Sequence, residues 1–141
     1  MRKFIFLVLF SMNAYACEPH IIGGAWDVDN QAYSIGVGKD LKEASKKKEV
    51  HKGSLDDFLN AYRTHTLCEP AKPLPVPITL GTCPKDMQLR LMWGQIPTGQ
   101  KLYQFIVTEG EKNLYNSGLM PGDLEVAIWL SKNFLKAYCK G

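Results

Sequence analysis

The chain has 141 residues, 22% of them charged, and a formal net charge of +3 at neutral pH. That length suits one domain with a modest core, and so small a charge excess excludes the broad basic surface with which proteins bind nucleic acid or acidic membranes.

The chain opens with Met1-Arg2-Lys3, followed by an apolar run from Phe4 to Met12 that only Ser11 interrupts, and then Ala14-Tyr15-Ala16. A short positive region, an apolar stretch and a small-x-small site in this order predict a cleaved secretory signal over residues 1–16 and an exported domain over residues 17–141. The apolar run is well short of the ~20 residues that cross a bilayer, so no stable membrane anchor is expected. A lipid-attachment signal would also place a cysteine at position 17, but Ala14 and Tyr15 stand where such a signal has small and aliphatic residues.

The start of the exported part reads as irregular through Gly24, with a short strand over Ala25–Val28 and a turn at Asp29-Asn30. From Gln31 to Val37 the pattern alternates, with Tyr33, Ile35 and Val37 on one face, the period of a half-buried strand bounded by Gly38. Lys39–Lys52 reads as a polar, lysine-rich helix with Glu43–Lys47 as an i,i+4 pair, its lysine run a solvated face. Ser54 then caps a second helix, with Asp57 as its capping-box partner and Leu55, Phe58, Leu59 and Tyr62 as its apolar stripe.

Pro70, Pro73, Pro75 and Pro77 hold the following segment extended as it crosses the domain. Beyond it, Met87, Leu89, Leu91 and Trp93 alternate with polar residues, although residues 84–93 also admit a helix. Gly94–Gly99 breaks the run, Tyr103, Phe105 and Val107 resume it, and Asn113–Asn116 adds a short strand. Asp123 and Glu125 at one end and Lys132, Lys136 and Lys140 towards the other suit the dipole of a long final helix, whose inner stripe is Leu124, Ile128, Leu135 and Tyr138. The fold class is therefore α+β: an antiparallel sheet of about four strands packed with two to three helices.

Four cysteines follow the signal: Cys17, Cys68, Cys83 and Cys139. An even number in an exported chain points to two disulfides. The stiff proline segment keeps Cys68 and Cys83 apart, which favours Cys17–Cys68 and Cys83–Cys139. Zinc is disfavoured, because the Cys17–His20 spacing has no second closely spaced pair.

No catalytic, cofactor-binding or metal-binding residue is assigned. Ser54, Asp57 and His65 form a triad on paper only, since no nucleophile-elbow sequence surrounds Ser54. Asp27 and Asp29 bracket a turn, and no phosphate loop, H-E-x-x-H or C-x-x-C occurs. The candidate contact site is the loop Gly94–Gly99, carrying Ile96 and Pro97 beside Trp93, because aromatic and proline-pinned residues serve as interface anchors.

The signal ending at Ala16, the short exported chain and the four cysteines resemble the small secreted effector or avirulence proteins of plant-pathogenic fungi. The resemblance implies a secreted, extracellular, non-enzymatic protein that binds a host protein and is met by a host resistance receptor. A second similarity, of Cys83-Pro84-Lys85-Asp86 and Met92-Trp93 to periplasmic lysozyme inhibitors, implies the alternative of a bacterial periplasmic inhibitor or immunity protein. That family's loop carries a histidine and a second cysteine, which this chain lacks.

Overall fold

The computed structural model describes residues 19–66 and 80–139. The chain runs β1 (His20–Asp27), β2 (Ala32–Gly38), α1 (Leu41–Lys46), β3 (Glu49–Lys52), α2 (Leu55–His65), β4 (Met87–Gln95), β5 (Lys101–Glu109), β6 (Lys112–Asn116), β7 (Met120–Pro121) and α3 (Leu124–Tyr138). The strands form one antiparallel sheet in the order β3-β2-β1-β4-β5-β6, with β7 pairing β5 beyond the bulge at Val107/Thr108. The α+β class and the antiparallel sheet agree with the sequence reading, but the described residues form seven strands rather than about four.

The additional strands have physical reasons. β1 starts at His20, within the stretch read as irregular, and one of the glycines that hide it, Gly24, serves packing. A Cβ on Gly24 would lie 2.2 Å from the Ser34 carbonyl oxygen and 3.0 Å from the Phe58 ring. The expected helix over Lys39–Lys52 stops at Lys46, where α1 gives way to β3. Leu41 and Val50 are both exposed, so no continuous apolar stripe holds a longer helix together. Glu49–Lys52 instead pairs with Ala32–Ile35 and satisfies the outer backbone groups of β2. All four residues of β3 are exposed, and charge on such an edge discourages further strand addition.

Alternation along the strands separates two faces. Ile22, Trp26, Leu89, Leu91, Trp93, Phe105 and Val107 point to one side, where α2 and α3 cover them and form the core. α1 lies on the opposite face, close enough that a Cβ on Gly36 would sit 2.0 Å from the Ala44 carbonyl oxygen. The molecule is thus a three-layer stack, with two helices below the sheet and one short helix above its β2–β1 side.

α2 and α3 run antiparallel. Glu125, at the start of α3, takes the Arg63 guanidinium in two bonds of 2.5 and 2.6 Å near the end of α2. Seven residues further along α3, Lys132 lies 2.7 Å from Asp56 at the start of α2. The capping box of α2 forms as expected, Ser54 and Asp57 each accepting the other's backbone N–H. Tyr62 donates from the buried side of α2 to the Leu91 carbonyl. Burial in this apolar layer pushes its hydroxyl well above the ordinary tyrosine range.

Cys83–Cys139 is a disulfide and pins the end of α3 to the segment leading into β4. The expected Cys17–Cys68 pairing lies outside the described residues.

Candidate functional site

The sequence-derived contact residues do not form one surface. Trp93 is 0% exposed and packs edge-on against His20 within the core. Its indole is therefore a core group, which corrects its assignment to an interface. Ile96 is half-buried, and Pro97 lies exposed in the five-residue connection between β4 and β5. That connection is closed by Ile96 N–H donating to the Gln100 carbonyl and Gly99 N–H to the Ile96 carbonyl, as an ordinary hairpin loop requires.

The paper triad is not assembled either. Ser54 and Asp57 are occupied in capping α2, while His65 is the last residue of that helix. The Asp27 carboxylate accepts from the backbone of Asp29 and the side chain of Asn30, and Asp29 accepts from the Asp86 N–H. These carboxylates hold turns in place. Among the described residues, no group of three histidine, cysteine, aspartate or glutamate side chains is placed to hold a metal ion, and no helix is long and apolar enough to cross a membrane.

The surface that stands out is the outer side of α3. Its inner stripe, Leu124, Ile128, Ser131 and Leu135, is buried as the periodicity predicts, although Tyr138 lies partly exposed at its end. On the opposite side Val126, Trp129 and Ala137 fall at i, i+3 and i+11, with Asn133 between them and Leu130 beside them partly buried against the core. Trp129 is 63% exposed and Val126 45%. Leu119 and Met120, just before the helix, add further exposed apolar side chains on the approach to it. The outer side of α3 thus carries large exposed apolar side chains in addition to the buried stripe that folding requires.

Local chemistry fixes this surface. The two ion pairs to α2 and the disulfide at Cys139 prevent α3 from rolling to bury Trp129. Aromatic contacts brace its other flank, where Phe134 stacks on Tyr115 with ring centroids 4.7 Å apart. The indole is thus held out from a rigid support, at small entropic cost to a binding event. The signal was present in the sequence: Trp129 falls off the Leu124/Ile128/Leu135 stripe on a helical projection.

No family model, curated protein or solved structure matches the chain.

Proposed function

We propose that this is a non-enzymatic, secreted binding protein that engages another protein through the outer face of α3. The observation that carries the reading is Trp129, an exposed indole presented beside exposed Val126 on an already packed helix. Tryptophan is among the residues most enriched as interface anchors, and exposed Val126 and Trp129 at i and i+3 suit the mode in which a helix lies in an apolar groove of its partner. The partner is therefore a protein with an apolar cleft wide enough for an indole.

The Cys83–Cys139 disulfide supports a place of action outside the reducing cytosol. In the setting that the sequence suggests, the partner is a host protein and the chain a secreted effector. The periplasmic-inhibitor alternative gains no support from the residues that prompted it, because Cys83 is tied to Cys139 and Trp93 is buried.

The test uses three immobilised baits: the wild type, Trp129→Ala and, as a control on the outer side of α2, Thr64→Ala. Each is exposed to the same host extract. The expected partner is retained by the wild type and Thr64→Ala and lost from Trp129→Ala, with all three baits equally folded. Sedimentation of the purified chain checks the competing occupant, a second copy of itself. A partner set indifferent to Trp129, or a Trp129-dependent dimer, contradicts the reading.

A further inference from the structure

On the other side of the sheet, α1 covers β2 and part of β1 but leaves β4 and β5 open, which creates a groove of about 460 Å³. That volume lies within the range of small-molecule sites. Strand register gives its plan. Ala25 is opposite Arg90, which is opposite Ile106, and Gly23 is opposite Met92, which is opposite Gln104. Side chains paired in this way lie ~5 Å apart on one face. The floor along β1 is therefore low, and the β4–β5 side is a wall of long side chains.

Two independent features point to a ligand. The first is charge. The groove is lined by two cations, Arg90 and Lys48, and by no carboxylate. Neither cation has an ion pair among the described residues, while the nearby Glu43 is taken by Lys47 at 3.1 Å. Met92, Ile106 and Leu41 add apolar lining, and Gln88 and Gln104 add amides, that of Gln104 donating to Asn116.

The second feature is Gly23. A glycine inside a strand weakens it and marks either a packing demand or the close approach of another group. Gly24, Gly36 and Gly38 answer packing demands, since a Cβ at each would lie 2.5 Å or less from a backbone atom. At Gly23 the first atom met is the Leu41 Cδ1, 3.7 Å away, so the fold has room for a side chain there. What a side chain at Gly23 would fill is the groove.

We propose that this groove binds a small organic anion, whose apolar body rests on Gly23 and Met92 and whose acidic head is held by Arg90 and Lys48. The site is independent of the outer face of α3, since it lies on the opposite side of the sheet and uses none of the same residues.

The probe is 8-anilinonaphthalene-1-sulfonate, an apolar dye with one anionic group, titrated into the full exported chain and followed by fluorescence. One saturable site is expected. Arg90→Gln and Lys48→Gln should each weaken it roughly tenfold, as loss of a charge-assisted contact does. Gly23→Val should abolish it while leaving the melting temperature unchanged or raised. Decanoate should displace the dye, and decanol should not. Trp129→Ala, which disturbs the other exposed apolar surface, should leave the affinity unchanged. The proposal is overturned if no site is detected, if Arg90→Gln, Lys48→Gln and Gly23→Val bind like the wild type, if decanol competes as well as decanoate, or if only Trp129→Ala loses the dye.

Discussion

α2 and α3 lie side by side on the same face of the sheet, yet they treat solvent in opposite ways. α2 buries Leu55, Phe58, Leu59 and Tyr62 and turns Asp57, Thr64 and His65 outward, so its sequence is fully explained by the fold. α3 buries Leu124, Ile128 and Leu135 but turns Val126 and Trp129 outward, so part of its sequence is left unexplained by the fold. Folding requires one apolar stripe per helix. Apolar side chains left outside that stripe are what comparison with a neighbouring helix under the same packing constraint brings out.

The contrast can be broken at its anchors. The largest effect is expected from Cys83→Ser with Cys139→Ser, which frees α3 while leaving α2 untouched. A bridge spanning 56 residues should contribute roughly 4 kcal/mol on the loop-entropy account, read as a lower urea midpoint. Next is the pairing between the helices. Glu125 is about a quarter exposed and Arg63 less so, and Arg63→Ala should cost about 2 kcal/mol, with a double-mutant cycle against Glu125→Ala showing coupling of about 1 kcal/mol or more.

Tyr62 sharpens the inner side of α2. Its folded-state hydroxyl is held above the ordinary value, so only the unfolded chain ionises readily. Stability from this group is complete below about pH 10, the unfolded value, and is lost as pH rises from there through the folded value. Tyr62→Phe should cost about 1 kcal/mol at neutral pH through the lost bond to Leu91, and should flatten the alkaline decline in a melting series. The smallest effect belongs to Trp129→Ala, expected within about 0.5 kcal/mol of the wild type by thermal unfolding because the indole supports nothing inside.

The sequence carried the elements whose periodicity reports burial. The capping box at Ser54, the stripe of α2, the alternation of β4 and β5 and the inner stripe of α3 could all be read because each places apolar residues at the spacing of its own structure. β3 could not, since all four of its residues are exposed and its reason for existing is the unpaired edge of β2. The first half of β1 is hidden by Gly23 and Gly24, which break the apolar alternation, and Gly24 is there for contact with residues distant in the chain. The sites were less legible still. Trp93 looked like an anchor because it adjoins a proline loop, whereas only the sheet shows that its face is the core. The groove over Gly23 depends on register between strands far apart in sequence, and no local pattern encodes it.

The outer face of α3, unlike that of α2, is proposed as half of an interface. The most direct test replaces Trp129 and, separately, Thr64 with a photo-crosslinking phenylalanine analogue and irradiates each protein with its partner bound. Covalent capture of the partner from position 129 and none from position 64 is the predicted result. Capture from position 64 alone, or from neither, would contradict it.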